Sequence, residues 1–257
     1  MRLNHAEELL TSLGIREPSE IDLEAIAFYC GAEVKEAPLT GCEAQIDGFN
    51  DQAIITINSN SSPERKRFSI GHELGHWKYH RGQSFICRSD DIDNVNRDYS
   101  ATDPEVVADI YSSDLILPNY LFEPLAKQAA HSSFDVVLKL KEDFSTSITA
   151  TALKYIQHSN EPTMLVCHGQ GGRIWFKRGK GVPAELFPNK ELDHDGYAMD
   201  VLYKRSTQQR PNKIGADAWF STRYADRYEV YEHSIPYVAG QILTMISWRD
   251  EEMFDEL

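Results

Sequence analysis

Cysteine is scarce: Cys30, Cys42, Cys87 and Cys167 are scattered through 257 residues without a C-x-x-C pair. That spacing argues against a cysteine zinc site and fits a reducing compartment, and the four read as buried thiols. Long apolar runs are also missing. Nothing approaches the roughly 18 residues that a spanning helix needs, and the start MRLNHAEELL lacks the apolar stretch of a signal peptide. No membrane partner and a cytoplasmic location are therefore expected. Positive charge is the third shortage: 26 Lys and Arg stand against 40 Asp and Glu, a net charge of −14. A chain that grips a phosphate backbone needs a cationic surface, so direct nucleic-acid binding is not expected. The basic cluster Arg65, Lys66 and Arg67 beside Glu64 reads as a solvated, salt-bridged helix face.

What is present is an ordinary globular composition, 41% hydrophobic and 26% charged, in a chain long enough for one large or two moderate domains. Helical periodicity marks Ala6 to Leu13 and IDLEAIAFYC, with Gly31 a natural stop. Glu43 to Asn58 reads as an antiparallel hairpin turning at Asn50-Asp51. Ser62 is suited to cap the next helix and Pro63 to occupy its first turn. The polar stretch RSDDIDNVNRDYSATDP reads as a surface loop leading to a helix from about Pro104. Further helices are expected at Leu121 to Gln128, Phe134 to Glu142 and Ser147 to His158.

After about Asn160 the texture changes to short strands: TMLVCH, RIWFKRG, AMDVLYKR, RYEVYEH and QILTMISW. Gly169, Gly171 and Gly172 sit between two of them without completing G-x-G-x-x-G, so they read as a hairpin turn rather than a phosphate loop. Asp250 to Leu257 reads as a solvated acidic tail. The expected fold class is α+β. Residues 1–160 would hold a small antiparallel sheet with a helical bundle, and residues 161–257 a mainly β or α+β unit.

The chemistry lies in SIGHELGHWKYH, Ser69 to His80. Residues four apart on a helix share a face about 6 Å along the axis, so His72 and His76 can clamp one ion. Neutral imidazoles suit Zn2+, and Glu73, one step round the helix, can face an attacking water instead of the metal. Such an arrangement supports metal-assisted hydrolysis, with the carboxylate as general base. His80 lies about 12 Å along the axis from His72, too far to share its ion, and reads as a helix-end histidine near the C-terminal dipole. Gly71 and Gly75 each cost about 1 kcal/mol relative to alanine inside a helix, so a neighbouring helix or a substrate backbone must pack closely there.

HExxH alone is only a moderate signal, and Glu105-Val106-Val107-Ala108-Asp109 supplies what it lacks. Two carboxylates four apart can face the same way on a helix. Glu105 can complete a His, His, Glu set with a fourth position open. Asp109 can accept from the far nitrogen of a ligating histidine and fix its tautomer.

RFSIGHELGHWKYH followed by EVVADIYSSDLILP resembles the paired motif of the ImmA/IrrE family of zinc metallopeptidases. The family's second element commonly reads E-x-x-A-N/D-x-F-A-A-x-L-L-x-P, and Glu105, Ala108, Asp109, Leu115 and Pro118 fall at matching places. STSITATALKYIQ resembles the helix that usually follows the site, so the likeness covers roughly residues 20 to 160. It implies His72, His76 and Glu105 as zinc ligands, Glu73 as general base, and a zincin-like core. Tyr111 departs from the usual phenylalanine and Ser112-Ser113 from the usual alanine pair, small half-buried changes that leave the ligands untouched. Some members carry a sensor-like C-terminal domain, but no motif in residues 161–257 identifies a ligand.

The resemblance also implies a substrate class, a helix-turn-helix repressor of stress-response or mobile-element genes. The expected function is a cytoplasmic zinc endopeptidase of narrow specificity, with residues 161–257 restricting or regulating access. The strand Ala53 to Asn58 leads into the site helix; as a sheet edge it would hold an extended peptide by β-augmentation, with Ile55 and Ile57 in contact. Tyr99, Tyr111, Tyr120, His80 and Arg81 are all conceivable donors to the developing oxyanion. The competing reading is a binding protein, or a toxin–antitoxin component, that uses the same scaffold with little turnover.

Overall fold

The computed structural model describes residues 3–81, 86–87 by backbone alone, 103–194, 196–205, 207, 210–238 and 240–257. Most of the loop expected at 88–104, together with Tyr99 and the Cys87 side chain, lies outside these residues. Two compact units divide the chain, one of residues 1–122 and 141–147, the other of 123–140 and 148–257.

In the first unit, Asn4 opens α1 (His5–Ser12) with a capping box: its side chain accepts from the Glu7 N–H, and Glu7 accepts from the Asn4 N–H. Asp22 caps α2 (Leu23–Tyr29). Gly31, at φ +83°, then turns the chain into β1 (Ala32–Ala37), where an added Cβ would meet the Asp51 carbonyl oxygen at 2.8 Å. β2 (Ala44–Phe49) and β3 (Gln52–Asn58) form the expected hairpin, with Asn50 at φ 56° in its turn. The Ser62 side chain accepts from the Arg65 N–H at the start of α3 (Pro63–Tyr79). β4 (Ile86–Cys87) follows, and Asp103 and Pro104 open α4 (Pro104–Ile116). α5 (Asn119–Ala126) and α6 (Phe134–Phe144) complete the run, each contributing residues to both units.

The sheet order is β1-β3-β2-β4, with β1 parallel to β3 and the other pairs antiparallel. β1 has no counterpart in the sequence expectation, because AEVKEA offers only alanine and one valine as apolar signal. Its presence overturns the idea of β3 as an edge: both sides of β3 already carry ladder partners. Ile55 and Ile57 are 0% and 1% exposed and serve the core, so they cannot contact a substrate peptide. The basic face of α3 is ion-paired as expected, Lys66 to Glu36 at 2.8 Å and Arg65 to Glu43 at 3.8 Å. Arg67 differs: its guanidinium reaches back to the Ile21 carbonyl from a half-buried position.

The second unit contains α7 (Ile148–His158), β5 (Thr163–Gly169), β6 (Gly172–Arg178), α8 (Tyr197–Leu202), β7 (Asn212–Gly215), β8 (Glu229–Pro236) and β9 (Gln241–Ser247). The strands form one antiparallel sheet in the order β6-β5-β9-β8-β7. The GQGG stretch is the turn of the β5–β6 hairpin, with Gly172 at φ +101°. Met164, Val166, Val230, Ile242 and Ile246 pack with Ala198 and Val201 of α8 and with Trp219 and Phe220. Two expectations are corrected here. AMDVLYKR is not a strand: residues 197–202 form α8, with Ala198 and Val201 three apart on its buried face. The acidic end is not merely a solvated tail, because Met253 is buried in this core and the Phe254 ring lies 5.3 Å from that of Trp248.

Cys42 and Cys167 are buried as expected, whereas Cys30 is partly exposed. No helix among the described residues is long and apolar enough to cross a membrane.

Candidate metal centre

α3 and α4 approach closely because α3 presents glycine where they meet. A Cβ on Gly71 would stand 2.6 Å from Ser112 Oγ, and one on Gly75 would stand 2.8 Å from Ala108 Cα. The close neighbour that Gly71 and Gly75 require is thus a helix, α4. Ser112 is fully buried, not half-buried, and its hydroxyl donates to the Phe68 carbonyl at 2.7 Å, tying α4 to the α3 backbone. The usual alanine could not make that bond.

This approach brings the sequence-selected residues together. His72 Nε2 and His76 Nε2 are 3.0 Å apart. Glu105, in the first turn of α4, places Oε2 3.2 Å from His72 Nε2 and Oε1 3.4 Å from His76 Nε2. One turn further along α4, Asp109 Oδ1 lies 2.9 Å from His72 Nδ1. A carboxylate can only accept, so His72 Nδ1 carries the proton and its Nε2 lone pair faces the other two donors. Glu73 is 0% exposed, and its charge acts on the His72 imidazole.

Lone pairs that face one another this closely need a proton or a metal ion between them. With a proton in that role, burial pulls the His72 pKa down, while hydrogen bonds to Asp109 and Glu105 and the charge of Glu73 push it up to about 9. Burial would raise the Glu105 pKa, but its hydrogen bonds to His72 and His76 hold it well below the usual carboxylate range. His72, His76 and Glu105 each offer one ligand atom within 4.8 Å of the others. Two imidazoles and a carboxylate are a donor set that suits Zn2+, so the residues fit the metal implied by the motif.

The conceivable oxyanion donors divide clearly. The Tyr120 hydroxyl donates to the Ile15 carbonyl at 2.9 Å. The Tyr111 ring is buried edge-on against Tyr79. Arg81 lies over the Trp77 ring at 4.4 Å and reaches Asp51 at 3.3 Å. His80 sits beside His76, with the two Nδ1 atoms 3.3 Å apart. Its role next to a proposed ligand was missed in the sequence; the spacing His76 to His80, equal to that of His72 to His76, was the available signal.

The helix-borne HExxH pair and the carboxylate from a second helix, in an α+β unit with a small sheet, define a zincin-like metallopeptidase core. Residues 29–154 match the Peptidase_M78 model, the IrrE N-terminal-like domain, so this stretch is a domain of the ImmA/IrrE type. The family is zinc-dependent in general and includes non-catalytic members. Among solved structures, a Mycobacterium tuberculosis transcriptional regulator shares the fold with a TM-score of 0.53 at 15% identity, over 94% of this chain and 73% of that one. No curated protein matches the sequence.

Proposed function

We propose that the chain is a zinc endopeptidase of narrow specificity that cuts a regulatory protein, a helix-turn-helix repressor being the substrate class implied by the family resemblance. The observation that carries the reading is the convergence of both HExxH imidazoles and Glu105 within 3.4 Å, with the intervening glutamate wholly buried beside them. His72, His76 and Glu105 would hold the metal, and Asp109 would keep His72 in the required tautomer. When bound, zinc supplies Lewis acidity toward the scissile carbonyl and lowers the pKa of a water to about 7. Glu73 acts as general base: its carboxylate takes the proton of the attacking water and delivers it to the leaving amine. Burial keeps bulk water from competing for that carboxylate.

The test is Glu73→Gln compared with wild type for cleavage of helix-turn-helix repressors from the same genome. The variant should bind zinc like the wild type and lose cleavage by about 100-fold or more. A Glu73→Gln chain that cuts at the wild-type rate would refute the mechanism.

A further inference from the structure

His80 closes the last turn of α3, its backbone N–H donating to the His76 carbonyl at 2.8 Å. This places its ring one turn below that of His76, with centroids 5.3 Å apart and planes inclined by 54°. The contact is specific in its atoms. His76 directs Nε2 toward His72 Nε2 and Glu105, while Nδ1, on the opposite side of the ring, faces His80 Nδ1. His80 therefore stands behind His76, against the ring nitrogen that does not face His72 and Glu105.

We infer that His80 is the positioning residue for His76, doing through a neutral imidazole what Asp109 does for His72 through a carboxylate. The inference rests on the zinc reading. A ring that gives its Nε2 lone pair to a metal carries its proton on Nδ1, and that proton needs an acceptor. The His80 Nδ1 lone pair accepts it, which leaves the His80 proton on Nε2 and fixes the tautomers of both rings. The two ligands are thus oriented from two directions, His72 across the interface with α4 and His76 along its own helix. A neutral acceptor also adds no negative charge to a centre already ringed by Glu73, Glu105 and Asp109.

The test compares full-length wild type, His80→Ala and His80→Asn. Zn2+ affinity is measured by competition with a chromophoric chelator, and the melting temperature is measured on the metal-free chains. Asparagine is the informative rescue because its Oδ1 occupies the place of the imidazole Nδ1 and can only accept. His80→Ala should lose about 10- to 100-fold in zinc affinity, the usual effect of removing such a partner. His80→Asn should recover most of it, and all three metal-free chains should melt alike. His80→Ala binding zinc as tightly as wild type overturns the assignment, as does His80→Asn failing to improve on it. A weaker affinity that merely tracks a lower metal-free melting temperature overturns it too, in favour of a packing role. A wild type that binds no zinc removes the metal reading and this assignment together.

Discussion

Gly75 and Ala108 touch across the α3–α4 interface so closely that a methyl group on Gly75 would lie 2.8 Å from Ala108 Cα. The obstacle is backbone, which cannot swing aside as a side-chain tip would. The spacing of the two helices, and with it the reach of Glu105 toward His72 and His76, is set by that missing Cβ. Gly75→Ala gains about 1 kcal/mol of helix propensity. It should nonetheless destabilise the chain by about 1–3 kcal/mol, because the overpacked helices must separate. Zinc affinity should fall with it. Denaturant melts and a zinc titration read both effects; a stabilised variant with unchanged affinity would contradict this account of the site's geometry.

Asp109 should bear on zinc affinity without being a ligand. Asp109→Ala removes the acceptor that holds the His72 proton on Nδ1. Zinc should bind about 10- to 100-fold more weakly, with stoichiometry restored at high metal concentration. Loss of all binding at saturating zinc would mean that Asp109 is itself a ligand.

The cluster of His72, His76, Glu105 and Asp109 was readable in the sequence because each half is local: two histidines four apart on one helix, and two carboxylates four apart on another. The α3–α4 contact was half readable, since Gly71 and Gly75 announced a close neighbour without identifying it. Long-range pairing is what stayed hidden. β1 is a parallel partner of β3 with a weakly apolar pattern, and its arrival turned a supposed docking edge into the middle of a sheet. Six residues of α8 fell below the length at which a short apolar run can be assigned to helix or strand by period. His80 was legible as a helix end, but its facing of His76 Nδ1 depends on side-chain direction that spacing alone does not give.

In the second unit, Glu232 is a buried carboxyl that accepts from Trp219 Nε1 at 2.8 Å. Burial pushes its pKa up from 4.5 to about 7, against the pull of its bonds to Trp219 and the Ala198 backbone. The folded state therefore binds a proton that the unfolded chain releases, so this contribution is complete below about pH 4.5 and lost as pH rises through about 7. The loss is on the order of 3 kcal/mol at most. Urea unfolding followed by tryptophan fluorescence, to which Trp77, Trp175, Trp219 and Trp248 all contribute, should show stability declining from pH 5 to about pH 8. Glu232→Gln should flatten that decline and be the more stable chain at pH 8; an unchanged slope would show that Glu232 is not its source.

The decisive quantity is zinc content after purification and dialysis against trace-metal-free buffer, measured by mass spectrometry on wild type and Glu105→Ala. The expected result is one zinc per wild-type chain and substantial loss in Glu105→Ala, which leaves two imidazoles without the carboxylate that completes the set. A wild type that retains no zinc, or a Glu105→Ala chain that retains it fully, would contradict the proposed centre.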